Sequence, residues 1–157
     1  MDFKETSRLM EAAIEQTDYS VVITTAELDP PGPVIQYVNA AFTRMTGYTR
    51  EEVVGATFGF LQGPATDRSV LDRLKSTLRA GDSFRDSIWN YARDGTPYQV
   101  ECTLTPLRLE GRKADYFLCV QRDLTALHQA SDQVEERHKY ETRRLNTLLK
   151  AVGADND

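Results

Sequence analysis

The chain has 157 residues and a mass of 17.8 kDa, and its 40% hydrophobic and 27% charged residues are typical of one globular domain with a helical extension. Its formal net charge of -5 argues against nucleic-acid binding as the main function. Two cysteines are too few for a disulfide framework or a structural zinc site. Because the N-terminus is charged and no apolar run approaches the ~20 residues that span a bilayer, we expect a soluble cytoplasmic protein that is not secreted and has no membrane partner.

The first part of the chain predicts a helix followed by a β-hairpin. Residues 3–16 carry apolar side chains at helical spacing between charged ones, which predicts an amphipathic N-terminal helix. The β-branched run 19–25 and the segment 34–38 predict two strands. Prolines and a glycine at 29–33 predict the turn between them, so these strands form the opening hairpin of a sheet.

The middle of the chain predicts helices. From residue 40 to residue 63, glycines divide the sequence into short helical pieces. Residues 66–80 predict a longer helix that begins at Thr66 as N-cap and ends at Gly81 as C-cap. One face of this helix is apolar and carries Val70, Leu71, Leu74 and Leu78.

Three further strands are predicted after this helix. Residues 84–92 form the first, and Asp94-Gly95 is a hairpin signal that leads into the second, residues 98–109. The third strand covers residues 116–121. Two strands, then helices, then three strands predict an α+β fold in which helices cover one face of a five-stranded antiparallel sheet.

The C-terminal part predicts a long helix. Residues 124–150 contain neither proline nor glycine and are rich in Glu, Lys, Arg, Gln and Leu. A heptad seam along this helix is half polar, so the sequence does not decide between a coiled coil and a solvated helix docked on the domain. One seam position holds Leu127, Val134, Glu141 and Leu148, and the other holds Ser131, His138, Leu145 and Val152.

No enzyme motif is present in the sequence. It lacks the nucleophile elbow G-x-S-x-G, the P-loop, the dinucleotide motif G-x-G-x-x-G and the zinc motif H-E-x-x-H. The two histidines, His128 and His138, are ten positions apart on the predicted C-terminal helix and do not lie on adjoining turns. We therefore predict that the chain is not an enzyme and binds no metal.

A glycine-rich segment in the middle of the chain is more informative. Residues 55–63 read G-A-T-F-G-F-L-Q-G, and they follow N-A-A-F at 39–42 and T-G-Y-T-R-E-E-V at 46–53. With Y-F-L-C-V-Q at 116–121, these motifs resemble, in order and spacing, the light-oxygen-voltage (LOV) branch of the PAS family. The resemblance covers about residues 17–123 and implies a PAS fold that senses blue light and holds FMN non-covalently between its sheet and its helices.

The resemblance assigns several residues to flavin binding. Gln62 matches a glutamine at the pyrimidine edge of the flavin, Asn90 matches an asparagine at the same edge, and Gln121 matches the glutamine that faces N5 and O4. Amides suit this edge because each supplies both a donor and an acceptor. The alternative is that they are ordinary polar residues of strands and loops. Further expected flavin contacts are Thr24, Leu104 and Phe117.

Several positions depart from the family pattern. Where the family motif reads G-x-N-C-R-F-L-Q, this chain has Thr57 for the asparagine, Phe58 for the photoactive cysteine and Gly59 for a phosphate-binding arginine. Lys75 replaces a second phosphate-binding arginine and keeps its charge without its forked geometry, and Val100 replaces a second pyrimidine-binding asparagine. Phe58 cannot form the thiol–flavin adduct of the family. Because one cation and one amide are absent, riboflavin and FAD stay open beside FMN.

Both cysteines fall on predicted inward-facing strand positions. Cys119 is two residues before Gln121, so the two side chains point to the same face of the strand, about 7 Å apart along it. Because the family usually has glycine there, we interpret Cys119 as a relocated photoactive cysteine. Cys102, between the inward-facing Val100 and Leu104, is the second candidate. The alternative is that both cysteines act as small core hydrophobes.

Together these observations predict a short blue-light photoreceptor that binds a flavin, most simply FMN. We expect an N-terminal helical cap over residues 1–16, a PAS/LOV core over 17–123, and a C-terminal helix and tail over 124–157. The terminal helices are expected to form a homodimer and to pass the signal to a protein partner that the sequence does not identify. Two alternatives are an adduct-free flavin redox sensor and a PAS interaction module without flavin, in which Phe58 fills the cavity.

Overall fold

The structure, a computed structural model, describes residues 2–153 of the chain. The chain divides after Leu124 into a core unit and a second unit that consists of the C-terminal helix. The elements in chain order are α1 (Phe3–Gln16), β1 (Ser20–Thr25), β2 (Ile35–Val38), α2 (Ala40–Thr46), α3 (Arg50–Val53), a 3₁₀ helix (Phe58–Leu61), α4 (Arg68–Arg79), β3 (Phe84–Tyr91), β4 (Pro97–Leu107), β5 (Tyr116–Asp123) and α5 (Thr125–Gly153).

All five strands form one antiparallel sheet in the order β2-β1-β5-β4-β3. The N-terminal hairpin therefore pairs with the last strand of the chain. Strand β5 lies in the centre, where Cys119 is opposite Val22 of β1 and Leu104 of β4. The turn between β3 and β4 contains Asp94 and Gly95, as predicted. The α+β fold with a five-stranded antiparallel sheet and with N-terminal and long C-terminal helices is thus confirmed.

One face of the sheet is buried against the helices. Along β4 every second residue is buried, which is the alternation that predicted this strand. Helix α4 contributes Leu78 to the core, and its apolar face packs there as predicted through Val70, Leu71 and Leu74. The largest fully buried side chains include Phe42, Phe117, Ile35 and Leu61.

The N-terminal end of α4 differs from the prediction. Its N-cap is Asp67 rather than Thr66, because the Asp67 carboxylate accepts a hydrogen bond from the Ser69 backbone N–H at 2.8 Å. The Thr66 hydroxyl is used within the preceding loop instead. It accepts from the backbone N–H of Gly63 at 3.0 Å and donates to the carbonyl of Trp89 on β3 at 2.8 Å.

Element ends elsewhere shift by one or two residues. The C-cap of α4 is Ala80 rather than Gly81, and Gly81 follows it with a φ of 82°, which glycine adopts without steric cost. Strand β4 ends at Leu107, before the predicted end at residue 109. Strand β5 continues beyond the predicted end to Asp123, because its last residues still pair with β4.

Asn39 joins α1, β1 and α2 through four hydrogen bonds of one buried side chain. Its Oδ1 accepts from the backbone N–H groups of Val21 at 2.9 Å and Phe42 at 3.1 Å, so that it caps α2. Its Nδ2 donates to the carbonyls of Ile14 and Tyr19, both at 2.9 Å. Asn39 therefore fixes the end of the N-terminal helix to the first strand of the core.

Helix α5 exposes the apolar residues of its predicted seam. Leu127, Val134, Leu145 and Leu148 are each more than half exposed. Val152, the last residue of the predicted seam, lies outside the residues whose side chains the structure describes. Within residues 2–153, no helix combines the length and the apolar character that crossing a bilayer requires.

Candidate functional site

A cavity of about 350 Å³ lies between the inner face of the sheet, the 3₁₀ helix and α4. Small-molecule sites usually have volumes of roughly 300–1,000 Å³. The loop at residues 30–33 also lines the cavity, and an ion pair at 2.7 Å between Asp29 and Arg79 joins this loop to α4. The sheet contributes Thr24, Ile88, Asn90, Cys102, Leu104, Cys119 and Gln121, and the other elements contribute Leu28, Thr57, Phe58, Gly59, Leu61, Gln62, Arg68, Leu71, Asp72, Leu74, Lys75 and Leu78.

Three amide side chains line this cavity from three different elements. Gln121 of β5 and Asn90 of β3 are buried, and Gln62, which follows the 3₁₀ helix, is half-buried. The Gln121 Oε1 accepts from the Ser20 hydroxyl of β1 at 3.2 Å. The Gln62 Oε1 accepts from the Arg68 guanidinium at 3.3 Å. The structure thus brings the three predicted amides together around one cavity.

At its α4 end the cavity carries two positive charges, Arg68 and Lys75, and one negative charge, Asp72. Lys75, a predicted flavin contact, and Arg68, which is absent from the predicted set, both line it. They are seven residues apart, which is two turns of a helix, so they lie on the same face of α4. That spacing is the signal in the sequence that identifies Arg68. Both residues are exposed, so this end of the cavity meets solvent.

Cys102 and Cys119 are in direct contact on the cavity wall. Their Sγ atoms are 3.1 Å apart, and the two residues are 3% and 1% exposed. Cys102 pairs with Gln121 and Cys119 pairs with Leu104, so the cysteines lie diagonally across β4 and β5. The hydrogen bond with Cys102 and burial raise the pKa of the Cys119 thiol well above its ordinary value, while a hydrogen bond with Gln121 opposes the rise. Cys119 is therefore a neutral thiol at neutral pH.

The remaining predicted contacts divide into two groups. Val100 and Phe117 do not line the cavity, although both are buried. Val100 is opposite Ile88 on β3, and Phe117 packs within the hydrophobic core. Alternation along a strand predicts the face on which a residue lies, but it does not predict how far along that face a cavity extends. The predicted contacts that do line the cavity here are Thr24, Thr57, Phe58 and Leu104.

Several apolar lining residues were missing from the predicted set. The sequence signal for Leu71, Leu74 and Leu78 was present, because they belong to the apolar face of α4 that was assigned to the core. The same face therefore forms both core and cavity wall. No group of three or more His, Cys, Asp and Glu side chains within residues 2–153 could hold a metal ion. His128 and His138 are exposed on α5.

A solved LOV domain matches the fold of this chain. The LOV domain of a blue-light-activated histidine kinase from Erythrobacter litoralis is 34% identical to this chain, with a TM-score of 0.64. The match covers 70% of this chain and 99% of that domain. It confirms the predicted PAS fold.

Comparison of the sequence with known proteins leads to the same family. A family model described as "PAS domain" matches residues 19–126. A blue-light-activated histidine kinase from Brucella anthropi is 33% identical over 78% of this chain and 25% of the relative. A blue-light photoreceptor from Listeria innocua is 30% identical over 87% of this chain and 53% of the relative, so the chain spans between a quarter and about half of these proteins. The chain belongs to the PAS domain family, and within that family it is a LOV-type domain related to blue-light photoreceptors.

Proposed function

We propose that this chain is the light-sensing domain of a blue-light photoreceptor and that it binds a flavin, FMN, in the cavity. The observation that carries the proposal is the set of three amides, Gln62, Asn90 and Gln121, around one cavity of about 350 Å³. The relatives support blue light as the signal, because they are named as a blue-light-activated histidine kinase and a blue-light photoreceptor. In this proposal the core over residues 17–123 is the sensor, and the segments 1–16 and 124–157 transmit its state.

The residues around the cavity fit a flavin. The pyrimidine edge of the ring alternates hydrogen-bond donors and acceptors, and each amide supplies both. Leu61, Leu74 and Leu104 form an apolar part of the cavity wall, against which the ring system can pack. Lys75 and Arg68 suit a phosphate group, which favours FMN over riboflavin. FAD stays an alternative, because the end of the cavity that carries these cations meets solvent.

A bound flavin supplies blue-light absorption and an electrophilic carbon that a thiol can attack. We assign the thiol of a relocated adduct reaction to Cys119, because it lines the cavity two residues from Gln121 on the same face of β5. Gln121, on the same face of β5, is one of the amides that we assign to the flavin edge. Cys102 touches Cys119 and stays the second candidate. Phe58 lines the same cavity without offering a thiol.

In this proposal, a change at the flavin is transmitted to the two chain segments that connect the core to α1 and α5. Gln121 contacts the cavity and also Ser20, at the start of the strand that follows α1. Strand β5 continues at Thr125 into α5. The backbone N–H of Leu124 donates to the Gln99 carbonyl at 2.8 Å, so the last residue before α5 is tied to β4. A change in hydrogen bonding at Gln121 therefore acts on both chain segments that lead to the terminal helices.

The terminal helices are the proposed dimer and output elements. Apolar side chains are exposed on α1, where Phe3, Leu9 and Met10 are each more than half exposed. The seam of α5 is exposed in the same way, as at Leu127 and Leu148. Burial of such residues against a second copy stabilises a homodimer, and the downstream partner then reads the arrangement of these helices.

Two alternatives make different predictions for the cavity. In an adduct-free redox sensor, the flavin binds and changes its redox state, and neither cysteine reacts with it. In an interaction module without flavin, Phe58 fills the cavity. The cavity has a volume of about 350 Å³ with Phe58 in its wall, which favours the two hypotheses in which a flavin binds.

An absorption spectrum before and after blue light tests the proposal. We expect the purified protein to absorb blue light with the bands of a bound flavin, and to lose this absorption reversibly in favour of a near-ultraviolet adduct band. Cys119→Ala should abolish the adduct band and retain the flavin, and Cys102→Ala is the matched control. Absence of blue absorption would refute flavin binding. An adduct band that survives Cys119→Ala would refute the role of Cys119.

A further inference from the structure

The cavity wall contains two thiols in contact, and the proposed light reaction uses one of them. We propose that Cys102 and Cys119 form a redox-active dithiol that a hydroperoxide oxidises to an intrachain disulfide between β4 and β5. This pair is then a second input of the domain, which responds to oxidants in addition to light.

The position of the two sulfur atoms supports a disulfide. A disulfide bond is about 2.0 Å long, and the Sγ atoms are 3.1 Å apart, so the two sulfur atoms approach each other by about 1 Å when the bond forms. The diagonal relation across β4 and β5 follows from the sheet register, in which Cys102 is opposite Gln121 and Cys119 is opposite Leu104. Both partners are held by sheet hydrogen bonds, so the pair stays in contact without any loop movement. Diagonal neighbours on antiparallel strands are about 7–8 Å apart between their Cα atoms, which is slightly beyond the usual span of a disulfide, so bond formation also requires a small shift of β4 against β5.

The surroundings of the pair select a small oxidant. Both residues are buried, so a large disulfide such as oxidised glutathione has no direct access to either sulfur. Both also line the cavity, whose other end meets solvent at Arg68 and Lys75. In the flavin-free protein, a hydroperoxide small enough to enter the cavity therefore reaches sulfur atoms that are not exposed at the protein surface.

The reaction balances without any other redox partner. The ionised member of the pair attacks hydrogen peroxide, the O–O bond breaks, one oxygen is transferred to sulfur as a sulfenic acid, and water is released after proton transfer. The second thiol attacks the sulfenic sulfur, which forms the S–S bond and releases a second water. In total, two thiols are oxidised by two electrons and one peroxide is reduced to two waters. Because Cys119 holds its proton with a raised pKa, we expect this oxidation to be slow at neutral pH and faster in alkaline buffer.

The disulfide has a consequence for light sensing, and this part rests on the proposed function. Oxidation converts the Cys119 thiol into a disulfide sulfur, so it is no longer available to react with a flavin. Protein that is oxidised in the flavin-free form and then loaded with flavin should show the flavin spectrum and lack the light-induced adduct band. Reduction with dithiothreitol should restore the band.

Alkylation and intact-mass measurement test the disulfide directly. The full chain is treated with hydrogen peroxide and then denatured in N-ethylmaleimide. Because the chain has two cysteines, we expect two maleimide groups on the untreated protein, none on the oxidised protein, and two again after reduction. Cys102→Ser and Cys119→Ser, each with one thiol, are matched controls that cannot form the intrachain bond. In protein unfolded in urea before peroxide treatment the native contact is absent, so we expect a smaller share of the oxidised thiols to form the intrachain disulfide.

Three results would overturn the inference. Both thiols could remain alkylatable after peroxide treatment, the sulfurs could gain oxygen atoms without forming a disulfide, or the bond could form only between chains on a non-reducing gel. The maleimide count does not depend on a bound flavin. A colourless protein that still forms the disulfide therefore contradicts only the proposed function, and a protein with a normal light response but no disulfide contradicts only this inference.

Discussion

The backbone of Gly63 lies so close to the ring of Tyr91 that no side chain fits between them. A Cβ atom on Gly63 would be 2.3 Å from Cε2 and 2.4 Å from Cδ2 of this ring. The ring cannot easily move, because the Tyr91 hydroxyl accepts a hydrogen bond from the Ala65 backbone N–H at 2.9 Å. The loop that follows Gln62 is therefore held against β3 by direct contact and by hydrogen bonds.

Gly63→Ala should destabilise the protein because its methyl group overlaps the Tyr91 ring. We expect a loss of about 1–3 kcal/mol in the free energy of unfolding, measured by urea denaturation. Gly59→Ala is the matched control, since its Cβ would be 3.9 Å from the nearest atom, the Thr57 hydroxyl oxygen, and it should change stability by less than about 0.5 kcal/mol. Equal stability of the two variants would contradict the contact.

Asn39→Ala should destabilise the protein more than Gly63→Ala does, because it leaves several buried backbone groups without hydrogen-bond partners. Four hydrogen bonds disappear, and we expect a loss of about 2–4 kcal/mol together with weaker protection of α1 from hydrogen exchange. Asn39→Asp separates the two halves of this side chain. It keeps the acceptor for Val21 and Phe42 and removes the donors to Ile14 and Tyr19, so α2 should keep its cap while α1 loses protection. Equal protection of α1 in Asn39→Asp and the wild type would refute the role of Asn39 in holding this helix.

Elements that depend on local pattern were predictable from the sequence. The alternation along β4 identified its buried face, and the apolar spacing in α4 identified the face that packs on the core. Both patterns arise because a strand repeats every two residues and a helix every 3.6 residues. The amides Gln62, Asn90 and Gln121 also line one cavity, as their match to the family pattern led us to expect.

Features that depend on contacts between distant residues were not predictable in the same way. A glycine at position 63 is visible in the sequence, but the ring that requires it belongs to Tyr91, on a different element. Thr66 has the side chain of an N-cap, yet the carbonyl of Trp89 engages its hydroxyl, and Asp67 takes the capping position. Each cysteine could be assigned to the inner face, but the contact between their sulfur atoms depends on the register of β4 against β5.

Glu15 should make the docking of α1 dependent on pH. Its carboxylate accepts from the Tyr37 hydroxyl, from the Arg50 guanidinium at 2.5 Å, and from the Ala40 backbone N–H at 3.2 Å. The hydrogen bond from Tyr37, with further help from Arg50, lowers the pKa of Glu15 below its ordinary 4.5, although desolvation opposes this. Desolvation and the same hydrogen bond raise the pKa of Tyr37 to about 12, so the phenol stays protonated in the neutral range. The ionised Glu15 carboxylate therefore contributes its full stabilisation of the folded protein above pH 4.5. This contribution disappears as the pH falls through the lower folded-state pKa of Glu15.

Glu15→Gln should be less stable than the wild type at pH 7 by about 1–2 kcal/mol in urea denaturation. The difference should shrink below pH 4.5, because the wild-type carboxylate becomes protonated there while the amide does not change. Other carboxylates with a lowered pKa, such as Glu52 and Asp67, are present in both proteins and cancel in the comparison. Glu11→Gln, one turn earlier at an exposed position, should change stability by less than about 0.5 kcal/mol. A difference that stays constant between pH 7 and pH 3 would show that ionisation of Glu15 is not its cause.

Arg68 and Lys75 should determine whether the proposed flavin site distinguishes FMN from riboflavin. FMN carries a phosphate and riboflavin does not, and the two cations line the end of the cavity that meets solvent. A hydrogen bond to a charged group is worth about 1.5–3 kcal/mol, so Arg68→Met or Lys75→Met should weaken FMN binding at least about tenfold. In Lys75→Met, riboflavin affinity should stay unchanged within about twofold, because the amides Gln62, Asn90 and Gln121 are not altered. Arg68→Met also removes the hydrogen bond to Gln62, so its loss of FMN affinity is compared with its own loss of riboflavin affinity.

Titration of flavin-free protein with each ligand, followed by fluorescence quenching, measures both affinities. Lys113→Met is the matched control, because it removes the same charge from an exposed loop position outside the cavity. It should leave the affinities for FMN and riboflavin unchanged. If Arg68→Met or Lys75→Met weakened the binding of FMN and of riboflavin equally, these cations would act on the shape of the cavity rather than on the phosphate. If neither variant weakened FMN, the phosphate would lie away from this end of α4.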